Sequence, residues 1–358
     1  TGQYIEIGGN ASISGDETKI NLNGGSGIAV NGRDSTFAIS GGNTTLTNHS
    51  TIHGITEVSG GEINANTQSH ISGNEMSFNG GKISLNNGSD LLASGDINIS
   101  GEVEINMGKD TLFLSETQAF DGGVNAESDQ SINISGGTIN LNDNAQFIRG
   151  VMNYPAGADE ELMTENIDAK VKGNINMTGG VINMNGTSSI GVYTSDGKLA
   201  LDGSGISGSS AEELLAKAPT INVNGNNAIN SDIDIKDGLI KINKGAALTS
   251  GDINLTSGNY ASIIDLVGTL DANVIGDGNT MGSDKAQMTV WDANAKVKGT
   301  VEGLTDLNIR SDLSLASAFE QGATYIKNIN VYGSNLNLDN EKFKDAENLI
   351  LNGKSTAK

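Results

Sequence analysis

The sequence has little of several things on which a globular domain usually depends. Its 358 residues include no cysteine, two prolines and one tryptophan, and only 4% of them are aromatic. Without cysteine the chain has neither a disulfide framework nor a thiolate metal site, and this fits a cytosolic protein as well as one exported before it folds. Because aromatic side chains bury the largest apolar areas, so low an aromatic content argues against one thick core.

Positive charge is scarce as well. The chain has 21 Lys and Arg against 43 Asp and Glu, which gives a formal charge of -22. Such a charge repels phosphate backbones and anionic lipid, so it argues against nucleic-acid binding and direct membrane insertion. No run of about 18 apolar residues occurs, and no apolar signal core follows Thr1, so the sequence predicts neither a membrane helix nor a signal peptide.

Glycine, serine and asparagine are abundant, but the apolar residues are not scattered among them. They alternate with polar neighbours in INIS, INLN, INMN and DIDIK, a period of two that is typical of β-strands rather than of disordered chain. Gly-Gly pairs begin at Gly8, Gly24, Gly41, Gly60 and Gly80, in steps of 16 to 20 residues. The chain therefore repeats itself about every twenty residues.

Superposing residues 41–59, 60–79 and 80–100 aligns their apolar positions into columns. The columns are Leu46 with Ala65 and Leu85, Ile52 with Ile71 and Leu91, and Ile63 with Ile83. Three short strands per repeat, separated by Gly and Asn turns, are typical of a parallel β-helix in which each repeat is one rung. Stacked rungs bury one continuous column of medium-sized aliphatic side chains, which also explains the scarcity of aromatic residues.

We therefore predict an all-β parallel β-helix of about twenty residues per rung, with roughly 16 to 18 rungs. A single domain is expected to span residues 1–358, with less regular rungs over 260–358. Asparagine side chains at the turns are expected to stack on one another from rung to rung.

Two segments that contain both prolines interrupt the repeat. Residues 150–170 include Pro155 and an acidic stretch of helical character. Residues 203–219 begin with glycines, continue through a serine cap followed by acidic residues, and stop at Pro219, which predicts a short helix. Both are expected to be loops or short helices that leave the side of the β-helix. Functional surface often lies on such excursions, although a tolerated insertion is the simpler interpretation.

The second excursion contains a Gly-x-Gly-x-x-Gly motif at Gly203, Gly205 and Gly208. A dinucleotide-binding fold needs strands that alternate with long helices, whereas both flanks here belong to the repeat. We interpret the motif as a flexible tether to the side helix.

Paired carboxylates are the signature of polysaccharide hydrolysis, and Asp232 and Asp234 form a candidate pair on one strand face. Since Ile233 and Ile235 take the inward positions, a solvated outer face is the simpler interpretation. The motifs of β-helical polygalacturonases are missing except for an isolated His-Gly at position 53. The basic cluster of pectate lyases is missing too, because the three arginines are far apart. We expect no enzyme, and keep a polysaccharide lyase or hydrolase as the alternative.

Metal and cofactor sites are not predicted. The repeat places His70 beside Thr51 and Asp90 on successive rungs and His53 beside Ser72, so no pair of histidines is created. The calcium-binding glycine-rich nonapeptide is absent. Scattered Asp and Asn oxygens could bind calcium weakly, without a defined site.

The phrases SGGEINAN, NGGKISLN, SGGTINLN and TGGVINMN, with the Asn-Gly turns and the missing cysteines, resemble the passenger domains of autotransporters, the adhesins and aggregation factors of Gram-negative bacteria. The resemblance covers nearly the whole chain and implies a right-handed, three-faced β-helix. It also implies export by a separate C-terminal barrel and display at the bacterial cell surface, or secretion. The exoproteins of two-partner secretion share the same repeat pattern.

The function we expect is a non-enzymatic adhesin whose polar lateral faces bind the same protein on a neighbouring cell, or a host glycan or matrix protein. Many weak contacts along repeated rungs can sum to firm adhesion. A passive stalk that carries another module is a further alternative. The candidate binding residues are the first excursion (Tyr154, Asp159, Glu160 and Glu161), the second excursion (Glu212 and Glu213), the lateral stack (Thr51, His70 and Asp90), and Asp232 with Asp234.

Overall fold

The computed structural model describes residues 2–32, 34–120, 123–124, 126–155, 159–256, 258–278, 286–338 and 343–358. The chain is all-β, a parallel β-solenoid of about 15 turns with two short helices, which confirms the predicted fold class and fits a right-handed β-helix. The number of rungs is slightly below the expected range because the two excursions add residues without adding rungs.

The strands are short and follow one another closely along the chain. Those that precede the first helix are β1 (Tyr4–Ile7), β2 (Ala11–Ile13), β3 (Lys19–Asn23), β4 (Gly27–Val30), β5 (Phe37–Thr47), β6 (Thr51–His53), β7 (Glu57–Ala65), β8 (His70–Gly73), β9 (Met76–Leu85), β10 (Asp90–Ala93), β11 (Ile97–Ile99), β12 (Glu104–Met107), β13 (Leu112–Phe120), β14 (Ile132–Ile134), β15 (Thr138–Leu141), β16 (Gln146–Tyr154), β17 (Glu161–Met163), β18 (Ile175–Met177), β19 (Val181–Met184), β20 (Ser189–Val192) and β21 (Lys198–Asp202).

The remaining elements begin with helix α1 (Ala211–Lys217). After it come β22 (Thr220–Val223), β23 (Asn226–Asn230), β24 (Asp232–Lys236), β25 (Leu239–Ile242), β26 (Ala247–Ser250), β27 (Ile253–Thr256), β28 (Ser262–Leu266), β29 (Thr269–Asp271), β30 (Val274–Gly276), β31 (Ala286–Val290), β32 (Lys296–Val297), β33 (Val301–Glu302), β34 (Asp306–Ile309), β35 (Leu313–Ser314), helix α2 (Leu315–Ala318), β36 (Ala323–Thr324), β37 (Asn328–Tyr332), β38 (Asn335–Asn337), β39 (Phe343–Lys344), β40 (Asn348–Asn352) and β41 (Thr356–Ala357).

The chain divides into two compact units. The first unit consists of Thr1–Asn176, Gly180–Ile182 and Thr187–Lys198, and the second of Met177–Gly179, Asn183–Gly186 and Leu199–Lys358. Each unit is described separately below.

Each rung of the first unit contributes to three parallel sheets. Sheet 1 contains β1, β4, β6, β8, β10, β13, β16 and β20 in that order. Sheet 2 contains β2, β11, β14 and the first halves of β5, β7 and β9, and sheet 3 contains β3, β12, β15 and the second halves of the same long strands. Strands of one rung therefore bond to the matching strands of neighbouring rungs.

The repeated Gly-Gly pair forms the bend between sheet 2 and sheet 3. Its second glycine has a positive φ in successive rungs, 76° at Gly42, 74° at Gly61 and 78° at Gly81. A Cβ at Gly61 would lie 2.6 Å from the carbonyl carbon of Gly41 on the previous rung. Glycine is needed here for both reasons, since side chains disfavour this φ and the rungs approach closely.

The predicted apolar columns are confirmed by the strand pairing. Leu46, Ala65 and Leu85 lie opposite one another, as do Ile52, Ile71 and Leu91. These columns are buried inside the rungs. A single rung has too little apolar surface to fold by itself, so this burial exists only in the stack.

The buried interior is mainly aliphatic, as expected, but buried aromatic rings also pack on one another inside the rungs of the first unit. The ring centroids of Phe78 and Phe113 lie 6.1 Å apart, and those of Phe113 and Phe147 lie 4.8 Å apart. All three side chains are fully buried. The rings of Phe113 and Phe147 are stacked, with 25° between their planes, whereas those of Phe78 and Phe113 are tilted by 56°, and both arrangements are favourable for aromatic pairs.

The second unit repeats the same three faces. Sheet 1 is represented by β23, β26, β29 and β32, sheet 2 by β24, β27, β30, β33, β36 and β39, and sheet 3 by β22, β25, β28, β31, β34, β37 and β40. The parallel strands β35, β38 and β41 form a separate small sheet. Over residues 296–324 several strands shrink to two residues.

We predict that Phe113→Ala destabilises the first unit by about 3 to 5 kcal/mol, because it removes the middle ring of the stack and leaves a cavity. Chemical denaturation followed by far-UV circular dichroism measures this loss. Gln146→Ala, at an exposed position of β16, is the matched control and is expected to change stability by less than about 0.5 kcal/mol. An equal loss in both variants would contradict the packing role of the ring stack.

Candidate functional site

The first excursion, expected to be a loop or short helix over residues 150–170, forms a small side sheet instead. Strands β13 and β16 are nine residues long and continue beyond sheet 1 as a parallel pair, and β17 adds to β16 in antiparallel orientation. We call residues 116–120, 150–154 and 161–163 the side sheet. Residues 156–158 of the predicted loop lie outside the described residues.

An outward apolar patch explains why the excursion folds back onto sheet 1. Leu114 and Ile148 occupy outward positions, yet both are buried, and they cluster with Met152. Leu162 of β17 packs on this cluster. Exposing such a patch to water would be costly, so the antiparallel strand is more stable than a solvent-exposed helix would be.

Arg149 holds the base of the side sheet. Its side chain is completely buried and donates hydrogen bonds to four backbone carbonyls, those of Gln130 (2.5 Å), Ser115 (3.2 Å), Gly150 (2.7 Å) and Lys172 (2.9 Å). It also donates to the hydroxyl of Thr117 at 2.8 Å. Burial lowers the pKa of Arg149 to about 10, a value at which the guanidinium stays charged in neutral solution.

The predicted lateral stack on sheet 1 is real as a geometric feature. Thr51, His70 and Asp90 are direct partners on successive rungs. His70 Nδ1 and Asp90 Oδ1 form a close ion pair, and each side chain is 34% exposed. Thr51 bonds in the opposite direction: its hydroxyl lies 2.5 Å from that of Tyr4, which is two strands away on β1, across Gly27 of β4.

Glu116 and Tyr154 of the side sheet form a second polar pair near the first. Tyr154 Oη donates to Glu116 Oε2 at 2.9 Å, and Gln118 Nε2 donates to Glu116 Oε1 at 2.9 Å. Burial raises the pKa of Glu116 above its usual range, against the opposing effect of these two hydrogen bonds. Burial and the neighbouring carboxylate also raise the pKa of Tyr154.

The charges of these groups act on His70. Burial lowers the pKa of His70, but the hydrogen bond and charge of Asp90, followed by the charges of Glu160 and Glu116, outweigh that effect and raise it. We call His70, Asp90, Glu116, Tyr154 and Glu160 the His70 cluster. The structure thus unites the first excursion with the lateral stack, two candidate sites that the sequence did not connect.

The chemistry that this arrangement offers is proton exchange and hydrogen bonding. A histidine with a raised pKa gains charge near neutral pH, and Glu116 is a carboxyl group that binds its proton more readily than usual. Groups of shifted pKa gathered at one place are typical of functional sites, although structural networks shift pKa values as well.

A polar groove of about 670 Å³ lies on the same unit, at the carboxyl ends of β4, β6 and β8. Its lining includes Asn31, His53, Asn74, Glu75 and Ser94. Gln130 Nε2 donates to the backbone carbonyl of Ser94 at 3.1 Å, and the backbone carbonyl of Gln130 accepts from the buried guanidinium of Arg149. Ser94 of the groove is thus linked through Gln130 to the arginine at the base of the side sheet.

The second excursion is a capped helix, as predicted. Ser210 is the N-cap and accepts from the backbone N–H of Glu213, and the helix ends at Lys217, before Pro219. Glu213 accepts from Ser209 and pairs with Lys217 Nζ at 2.7 Å, and these contacts lower its pKa to about 2. Its carboxylate is thus occupied by the helix itself, whereas Glu212 is exposed.

Of the glycines ahead of this helix, Gly203 is required by packing, whereas nothing lies within 4 Å of a Cβ placed at Gly205. A Cβ at Gly203 would lie 2.2 Å from the backbone oxygen of Asp237, so no larger residue fits there. Asp237 is buried, and its carboxylate accepts the backbone N–H groups of Asn259 at 2.5 Å and Tyr260 at 2.9 Å. It holds one loop of the second unit in place.

Asp232 and Asp234 both lie on β24 and point outward, while Ile233 and Ile235 are buried. Asp232 Oδ1 accepts the backbone N–H of Asp252 at 2.9 Å, and Asp234 Oδ1 accepts Asn254 Nδ2 at 3.0 Å. Both carboxylates are therefore bonded to the next rung. Asp159 and Glu161, the other predicted residues of the first excursion, are exposed beside Glu160.

Ladders of amides run along the outer faces of each unit. In the first unit Asn140 donates to Asn106 at 2.8 Å on sheet 3, and Asn133 donates to Asn98 at 3.2 Å on sheet 2. In the second unit the turn residue Asn243 donates to Asn224 at 2.6 Å, as the predicted stacking of turn amides requires. The ladders bind rung to rung, and each amide retains further hydrogen-bonding capacity.

No family model matches this sequence, and neither a curated protein nor a solved structure matches the chain. Among the described residues, no three His, Asp or Glu side chains are grouped so that they could hold a metal ion. No helix in the described ranges is long and apolar enough to span a membrane.

We predict that Arg149→Met loosens the side sheet, with a loss of about 3 to 5 kcal/mol, because several buried carbonyls lose their donor. Hydrogen exchange of residues 150–154 and 161–172 measures the effect, and faster exchange is expected there than over β5 to β9. Lys82→Met, which removes an exposed cation 3.6 Å from Glu104, is the control. Unchanged exchange in Arg149→Met would contradict the anchoring role.

We predict that the His70–Asp90 pair stabilises the protein most in mild acid. Because the folded pKa of His70 lies above its unfolded value of about 6.5, the contribution is complete below that value and is lost as pH rises through the folded pKa. The stability difference between the natural protein and His70→Asn is expected to shrink by up to about 1 kcal/mol between pH 5.5 and pH 8, since the pair is partly exposed.

Urea denaturation at several pH values measures this difference. His53→Asn is the matched control, because His53 lies on the same sheet but contacts the hydroxyl of Ser72 instead of a carboxylate. A stability difference for His70→Asn that is independent of pH would show that the pair is not titrating.

Proposed function

We propose that this protein is a non-enzymatic adhesin, the passenger domain of an autotransporter displayed at the bacterial cell surface or secreted. It would bind copies of itself on neighbouring cells, or a host glycan or matrix protein. The observation that carries the proposal is the regular set of outward amide, hydroxyl and carboxylate ladders on a parallel β-solenoid. In the first unit, sheet 3 presents Asn21, Thr45, Asn64, Ser84, Asn106 and Asn140 in one outward column.

Ladders of this kind can make many weak contacts with one binding partner. Each rung places a similar polar group about 4.8 Å from the last, so a partner with repeating polar groups can contact several rungs at once. The affinity of one contact is low, but contacts made together act as intramolecular events and sum to firm attachment. Phe120 of the side sheet, 51% exposed, adds a less regular surface on which a partner could gain specificity.

The His70 cluster favours a second candidate, an enzyme that acts on polysaccharide. Its support is the gathering of Glu116, whose pKa is raised, with Tyr154 and the His70–Asp90 pair at one place, since acid–base catalysis needs groups tuned in this way. This candidate predicts reducing ends or unsaturated products when the protein meets a panel of glycans. The adhesin proposal predicts none.

We predict that bacteria displaying this chain sediment faster than cells without it, or bind immobilised glycan or matrix protein. Because the chain carries a formal charge of -22, self-association is expected to strengthen as salt screens the repulsion. Settling rates and adhesion are measured over a range of ionic strength, with and without calcium. The adhesin proposal is rejected if displaying cells neither clump nor adhere under any of these conditions.

Two surface variants identify the face that makes the contact. Asn98→Lys places a charge on sheet 2, and Gln146→Lys places one on sheet 1, both at exposed positions of the first unit. Loss of adhesion by at least about fivefold in one variant alone would assign the interface to that face. Glu160→Gln, next to β17, tests the first excursion in the same assay, and equal loss in every variant would point to charge rather than to an interface.

A further inference from the structure

An aromatic and cationic stack stands on the outer face of the second unit, apart from the His70 cluster. Strands β31, β34 and β37 are successive members of sheet 3, and Trp291, Arg310 and Tyr332 lie at equivalent places at their carboxyl ends. The Cζ atom of Arg310 is 5.0 Å from the ring centroid of Trp291 and 4.1 Å from that of Tyr332. The guanidinium is therefore held between two rings.

This arginine is unusual in its surroundings. The chain has 43 acidic residues, yet within the part that the structure describes no carboxylate pairs with Arg310, whereas Lys244, Lys298 and Lys217 of the same unit all have acidic partners. Arg310 is exposed, unlike the buried Arg149. A guanidinium fixed in its plane by aromatic rings loses little freedom when it forms two parallel bonds to a carboxylate.

The groups around the guanidinium suit a ligand rich in hydroxyls. Trp291, the only tryptophan, is 47% exposed and donates through Nε1 to Asp265 at 3.2 Å, so its indole ring is fixed while leaving apolar surface in contact with water. Asn308 lies two residues before Arg310 and hence on the same face of β34. An apolar ring surface beside carboxylate and amide groups can accept the two sides of a sugar, its C–H face and its hydroxyl edge.

A peptide ligand fits this place less well. Strand β34 is paired on both sides, with β31 and with β37, so no free strand edge is available there for an added peptide strand. A peptide helix would need an apolar groove, and the outward neighbours here are Thr289, Asn308 and Asn330.

We propose that Trp291, Arg310 and Tyr332 form a binding site for an acidic sugar, in which Arg310 pairs with the carboxylate of a uronate residue and the sugar ring packs on Trp291. The idea names the ligand class for the proposed adhesin and rests on that function for its biological meaning. The binding itself is a property of the purified chain and can be tested without cells.

The fluorescence of the single tryptophan reports on this site directly. We predict that titration of the purified protein with a uronic-acid oligosaccharide changes Trp291 fluorescence in a saturable way. The same oligosaccharide after reduction of its carboxyl groups is expected to produce no saturable change. Arg310→Gln is expected to weaken binding of the uronate by about tenfold or more, since a bidentate charged contact is lost. The affinity of Arg310→Lys for the uronate is expected to lie between those of the natural protein and of Arg310→Gln, because lysine keeps the charge but cannot form two parallel bonds.

Lys298→Gln is the matched control, since Lys298 is also a cation of the second unit but pairs with Asp271 at 3.0 Å. Unchanged affinity in this variant is expected. The comparison of acidic and neutral oligosaccharide uses the natural protein and stays valid if Arg310→Gln fails to fold. Equal binding of both oligosaccharides, or no saturable change with either, would overturn the proposal. Tighter binding of a glutamate-rich peptide would assign the site to a peptide and would overturn it too.

The failure of this idea can be distinguished from failure of the adhesin function. Cells that adhere while the purified chain ignores the uronate would leave the adhesin proposal standing and reject the sugar site. If the purified chain binds the uronate while displaying cells neither clump nor adhere, the sugar site stands and the adhesin proposal is rejected.

Discussion

Pairing between successive rungs is the constraint on which every other feature depends. Each strand is held in register by backbone hydrogen bonds to the neighbouring rungs, and a slip of one residue would turn Ile83 and Leu85 outward. The same register that buries these side chains also aligns the outward ones. The inward residues Ile52, Ile71 and Leu91 lie opposite one another, and their outward neighbours Thr51, His70 and Asp90 are aligned as a result. The surface chemistry of the protein is therefore a consequence of its packing, which places one side chain per rung at each outward position.

The polar pattern of the outward positions is interrupted where apolar residues occupy them. On most rungs the outward column is polar and its members bond to one another, so the surface is satisfied by water and by its own ladders. At Leu114 and Ile148 it is apolar, and β17 of the side sheet covers it. Covering it requires β13 and β16 to leave the solenoid, and the buried guanidinium of Arg149 ties the backbone together where they do. The His70 cluster is the result, because Glu116 and Tyr154 lie on the strands that depart.

Much of the fold follows from the sequence, and the reasons are local. Two-residue alternation and the spacing of Gly-Gly pairs are enough to define strands, rungs and inward columns, and the Ser-x-x-Glu pattern with Pro219 is enough for the capped helix α1. The side sheet was missed because its acidic residues favour a helix locally, while the apolar outward patch that decides its structure comes from two other rungs. The stack of Phe78, Phe113 and Phe147 was missed for a similar reason. Phe78 lies on sheet 2 whereas Phe113 lies on sheet 1, and the residues inserted after β13 hide the alignment of Phe113 with Phe147. The site residues Thr51, His70 and Asp90 were aligned correctly, but their link to Tyr154 and Glu160 needed the fold.

The ladders and the departures from them contribute differently to recognition. An amide that bonds to its neighbour offers a single ligand only its remaining hydrogen-bonding positions, and since similar amides recur on many rungs, a ladder cannot specify one position along the solenoid. On the proposed function, a ladder therefore supports adhesion through the number of its contacts. Selectivity needs side chains that occur once, and among the described residues the cluster around His70 in the first unit and the stack around Arg310 in the second are two such groups. The first changes its charge near neutral pH, whereas the guanidinium of the second is charged throughout that range. An adhesin built in this way would respond to acidity through one unit and hold an acidic ligand through the other, so that loss of the first response would leave the second intact.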